Sequence, residues 1–206
     1  MKKKELISEE LLHHTPFTAI ASILAIFVVI VVTGFTTITH TESTFEIIHY
    51  THILVSGIAT SAIFYKYKKS KVQALLIGIT GTILLGTFSD TLFPFLGAII
   101  FNFTPELHVP LIETPLIVIG IAILGSLIGL VTKNSEFPHT LHVLLSVFAS
   151  LFYLIAFANI LTPIGWIISF IIIFTAVIIP CCLSDIIFPL LFIKDLGHHS
   201  HHHKHH

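Results

Sequence analysis

Two stretches of the chain, His49-Tyr50-Thr51-His52 and His139-Thr140-Leu141-His142, each carry a pair of imidazoles three residues apart. On a helix, that spacing turns both rings to one side, close enough to share a metal ion. A carboxylate follows each pair inside a second repeated phrase, Ser89-Asp90-Thr91-Leu92-Phe93-Pro94 and Ser184-Asp185-Ile186-Ile187-Phe188-Pro189. The first echo runs on to Ser56 in one copy and Ser146 in the other, and a shorter one, His14-Thr15-Pro16 against Glu113-Thr114-Pro115, precedes both. Order is conserved between the copies, and so nearly is length: His52 to Asp90 is 38 residues and His142 to Asp185 is 43.

Two imidazoles and a carboxylate supply three metal ligands. Glu113 in the first copy, or His14 or Cys181 in the second, would supply a fourth. Such a donor set suits a divalent transition metal, zinc first and then nickel, cobalt or iron, and the cysteine biases its group towards softer ions. Each motif also has a plainer reading. A histidine at a helix start can be a capping or interfacial residue, and Ser-Asp before Phe-Pro can simply end a helix. An aspartate in the hydrocarbon region costs at least ~2.5 kcal/mol, which makes it a functional candidate by default. Two equivalent aspartates, each with its histidine pair, favour metal or proton chemistry over a structural hydrogen-bonded network.

These residues sit in a very apolar chain. Mean hydropathy is +0.97 and 10% of residues are charged. Six apolar stretches, at about residues 17–39, 46–65, 72–96, 109–131, 138–157 and 163–192, are long enough to cross a bilayer. The expected fold is therefore an all-α integral membrane protein of six transmembrane helices, with Pro180 kinking or breaking the last. The basic start and first apolar stretch do not read as a cleaved signal peptide, because that stretch exceeds signal length and no small-residue cleavage site follows. Residues 1–16 read as a cytoplasmic amphipathic leader, or as a solvated basic one. Residues 17–96 form the first repeat, 97–108 an extracytoplasmic loop, 109–193 the second repeat and 194–206 a cytoplasmic His-rich tail.

There is no arginine. The ten lysines, at 2, 3, 4, 66, 68, 69, 71, 133, 194 and 204, fall on one side of a six-span layout. The positive-inside rule then puts both termini of this multi-pass cell-membrane protein in the cytoplasm. Three spans per copy flip the second copy relative to the first, the inverted-repeat pattern of many secondary transporters. The flip is expected to gather His49, His52, Asp90 and Glu113 near the outer face, with Glu106 and His108 beside them. His14, His139, His142 and Asp185, with Cys181 a turn before Asp185, would gather near the inner face. Gly125-x-x-x-Gly129 and the other glycines of spans 3 and 4 read as close-packing faces.

The expected function is binding and transport of a divalent transition metal through two pseudo-symmetric His/Asp clusters. The tail, with histidines at 198, 199, 201–203, 205 and 206, would collect cytosolic metal; its Ser and Lys interruptions favour a native tract over a purification tag. An intramembrane zinc hydrolase, needing one cluster with an open position for water, is the first alternative. A haem-binding electron-transfer protein with axial histidines is the second. The expected partners are the metal ion and the lipid bilayer, with room for a homo-oligomer and no nucleic acid. Single cysteines at Thr44 and Lys69, in a background lacking Cys181 and Cys182, should label from opposite sides of the membrane. Labelling from one side would rule out the six-span layout.

Overall fold

The computed structural model describes residues 3–35, 39–132 and 136–181. They form helices, with no strand among them. Helix α1 spans Lys3–Phe35 and runs through Pro16 without a break. Helices α2 (Thr41–Tyr67) and α3 (Lys71–Thr87) follow, and α3 continues through a π-helical segment, Phe88–Leu92, into α4 (Phe93–Ile100). After a strap come the single turn α5 (Pro110–Glu113), α6 (Pro115–Thr132), α7 (Glu136–Phe157) and α8 (Pro163–Ala176), which ends in a second π-helical segment, Val177–Cys181, containing Pro180.

Among the described residues, three helices are long and apolar enough to cross a membrane: Thr41–Tyr67, Lys71–Ile100 and Pro115–Thr132. The apolar stretches Thr18–Val32, Leu141–Phe157 and Pro163–Ile179 are shorter. Large apolar side chains such as Phe27, Leu76, Leu116, Ile164 and Ile167 face outward, whereas Ser22, Thr60, Ser61, Thr82, Ser126 and Ser169 are buried. Apolar exterior and hydroxyl-lined interior suit a lipid solvent, where contact between helices comes from small residues and interhelical hydrogen bonds.

Helix α2 is the centre of the bundle and packs on α3, α6 and α7. Small residues bring it close to α6. A side chain at Gly125 would collide with the Leu54 carbonyl, and one at Gly129 with the Ile58 carbonyl. Across the same contact Ser61 Oγ lies 2.7 Å from its own helix's Gly57 carbonyl and 3.0 Å from the Ser126 carbonyl of α6. Thr82 Oγ1 donates to the Ile53 carbonyl at 2.9 Å and ties α3 to the adjoining side of α2. The expected close-packing face on span 4 holds at Gly125 and Gly129, which meet the α2 backbone and, at Gly129, the Ser61 hydroxyl as well; it does not extend to Gly120.

Gly125→Val should therefore destabilise the protein by roughly 1–3 kcal/mol, the usual cost of overpacking. Gly120, which has nothing within 4 Å, should accept alanine with no loss. Thermal unfolding in detergent micelles checks both; the reverse ranking would show that α6 does not pack through this face.

Candidate functional site

Asp90 is fully buried, and three elements converge on it. From α2, His49 Nδ1 lies 2.8 Å and His52 Nδ1 2.6 Å from the same carboxylate oxygen, Oδ2. From α7, Ser146 Oγ donates to Oδ1 at 2.8 Å. Ser89 Oγ, next in the chain, is also 2.8 Å from Oδ1, and 3.1 Å from the Gly86 carbonyl. An ionised carboxylate only accepts, so with Asp90 charged both Nδ1 atoms would be the donors. Each oxygen thus faces two donors, the satisfaction a buried charge requires.

Local sequence explains how the chain presents Asp90. Pro94 has no N–H, so it leaves the preceding turn of helix short of a donor. The Phe93 N–H reaches back five residues to the Phe88 carbonyl, and the helix widens into a π turn over Phe88–Leu92. The Ser89 carbonyl would then look to Pro94, which cannot donate. Ser150 Oγ of α7 supplies the missing hydrogen bond at 3.1 Å. Single π turns inside α-helices occur frequently at functional sites, and this one carries the carboxylate.

The structure changes the expected grouping in two places. His142 was expected near the inner face, apart from His52. Instead its ring lies parallel to that of His52, with centroids 5.6 Å apart and planes 7° apart. The reason is depth. Helix α2 starts at Thr41, so at ~1.5 Å per residue His52 lies roughly 16 Å along it and well inside the bundle. Glu113, expected beside His49 and Asp90, instead pairs with His108, whose Nδ1 lies 2.8 Å from Glu113 Oε2. Its other oxygen accepts from the Val109 N–H at 3.1 Å. The expected outer cluster is thus two tiers. The buried ring of Phe45 lies between them, 5.6 Å from His49 and 5.7 Å from His108.

Asp185 and the His-rich tail lie outside the described residues, as do the side chains of His14, His139 and Cys181. Sequence reasoning missed Ser89, Ser146 and Ser150 as partners of the aspartate segment. A signal for them was present: His52, Ser56 and Thr60 have the same spacing as His142, Ser146 and Ser150.

Ligand atoms of His49, His52 and Asp90 lie within 4.8 Å of one another, so the group could hold a metal ion. Around a tetrahedral ion at ~2.0–2.1 Å, neighbouring ligands stand roughly 3.3 Å apart. The present N···O contacts would open by little more than half an ångström, and the ion would replace the two Nδ1 protons. His49 Nε2 is buried with no hydrogen-bond partner among the described residues.

Ser150→Ala should cost roughly 1–3 kcal/mol, because it strands a buried carbonyl. Among the described residues Ser169 bonds the Gly165 carbonyl of its own helix turn, so Ser169→Ala should be nearly neutral. Equal effects in micelle unfolding would remove the special role of Ser150.

No protein-family model matches the chain, and no curated protein or solved structure matches it significantly.

Proposed function

We propose that this protein binds a divalent transition metal, zinc first, at His49, His52 and Asp90 and carries it across the membrane between two inverted halves. The observation that carries the reading is the buried Asp90, held by His49 and His52 of the first half and by Ser146 of the second. Transporters built from inverted repeats bind their cargo near the midplane between repeats, on interrupted helices. The π turn at Asp90 does not break its helix, but it departs from α geometry at the carboxylate.

The helix contacts support an internal repeat, which three spans per copy would invert. Exchanging α1 with α6, α2 with α7 and α3 with α8 turns the pair α2–α6 into α7–α1, α3–α6 into α8–α1 and α2–α3 into α7–α8. All six pairs touch, and α2–α7, which the exchange leaves in place, touches too. His52 and His142 are equivalent under this exchange and stack on each other. A counterpart group of His139, His142 and Asp185, with His14 and Cys181 as further donors, would serve the other compartment. In this layout the termini and lysines face the cytoplasm, where the tail collects metal. Loading displaces imidazole protons, so transport would respond to a pH gradient.

Protein lacking residues 194–206 should retain near-stoichiometric zinc by elemental mass spectrometry. Asp90→Asn should lower that content, and His52→Ala and His142→Ala should each abolish zinc flux into proteoliposomes. Unchanged metal in Asp90→Asn would make the group a structural hydrogen-bond network. Bound metal without flux would put the hydrolase reading first.

A further inference from the structure

The buried group has one neighbour its chemistry does not use. Where α2 begins, the chain between α4 and α5 forms a strap fastened to the end of α7. Asn102, at φ 63°, turns the chain out of α4, a left-handed conformation that asparagine tolerates. The Glu106 N–H donates to the Phe157 carbonyl at 2.9 Å. Tyr153 Oη donates to the Glu106 carbonyl at 3.0 Å. The strap ends at His108, whose ring stacks on Phe157 at 4.5 Å.

Below His108 lies Phe45, with no exposed surface, one helical turn before His49 on α2. It packs edge-on against His108, Tyr153 and Phe157 and stacks on His49. Two carboxylates flank His108: Glu113 at 2.8 Å and Glu46 at 3.6 Å. Both are substantially exposed, whereas His108 is mostly covered.

We infer that the strap Phe101–Val109 is a lid over the His49–His52–Asp90 group, with the rings of His108 and Phe45 as its plug and Glu113 and Glu46 as its latch. The plug is made of rings that can swing about two torsions, whereas the helices beside it are fixed by backbone contacts. Lifting the strap breaks the latch contacts and the Glu106–Phe157 and Tyr153–Glu106 hydrogen bonds, but no bond within a helix. A cation approaching this end meets Glu42, Glu46, Glu106 and Glu113 and no lysine in the nearby segments, so the local field draws positive charge to the latch. A divalent cation can also occupy the carboxylates in place of the imidazole, which couples arrival of cargo to release of the lid. The inference concerns access to the buried group and stands whether that group holds a metal ion or only protons.

Carbethoxylation by diethyl pyrocarbonate, followed residue by residue in the purified full-length protein by peptide mass spectrometry, tests it without needing bound metal. In the unaltered protein His49 should react far more slowly than His40, which is exposed just before α2. Phe45→Ala and Glu113→Ala should each speed modification of His49 by about tenfold or more, the first by removing the ring packed on His49 and the second by removing the contacts of Glu113 to His108 and to the Val109 N–H from an opening equilibrium. His142 should remain slow in both. If His142 reacts as fast as His40 in Phe45→Ala, that variant has lost its core, and Glu113→Ala, which alters an exposed side chain, decides alone. The inference is overturned if His49 reacts as fast as His40 in the unaltered protein, or if its rate in Glu113→Ala stays within twofold of the unaltered rate. Zinc content of the same samples reports separately on metal binding.

Discussion

A carboxylate without solvent must find its donors in the protein, and the arrangement around Asp90 follows from that demand. Leaving such a charge unpaired among apolar helices would cost several kcal/mol. Two imidazoles and two hydroxyls meet it, and no single helix could provide them. His49 and His52 come from one face of α2, Ser89 from the π turn, and Ser146 from α7. The requirement brings α2, α3 and α7 together at one depth.

Pro94 and Ser150 show how a helix can be opened there without leaving backbone groups unmet. The proline withholds a donor, the chain widens, and a hydroxyl from the facing helix replaces what was lost. Ser150 is one helical turn beyond Ser146, so a single face of α7 holds both the carboxylate and the backbone that presents it. A side-chain hydrogen bond of this kind is exchangeable in a way that an intrahelical ladder is not. The glycine-packed contact of α2 and α6, by contrast, sets backbone against backbone and leaves little room for a shift.

The polar residues near the start of α2 fall into two tiers with different exposure. His108, Glu46 and Glu113 are reachable from the surface; His49, His52 and Asp90 are not. Aromatic rings fill the space between. In the proposed metal-binding role, graded access of this sort would separate capture of an ion at surface charge from its coordination by dry, fixed ligands.

Much was legible in the chain itself. The helical build, the apolar stretches and the glycine face follow from hydropathy and residue size, which act within a few turns. The His-x-x-His and Ser-Asp-x-x-Phe-Pro phrases marked His49, His52 and Asp90 because those types are costly in an apolar helix and occur twice. Their depth was not legible. It depends on where α2 starts, five residues earlier than its apolar stretch implies, since Thr41 to Thr44 are polar but helical. That offset carries His52 inward to the ring of His142. Spacing along one helix likewise cannot tell which carboxylate it faces on another: Glu113 was free to pair with His49 or His108, and the strap's fastening to α7 decided for His108. The sequence by itself determined which residues could not be tolerated without partners; only the tertiary structure, through helix starts and crossing contacts, decided which partners they met.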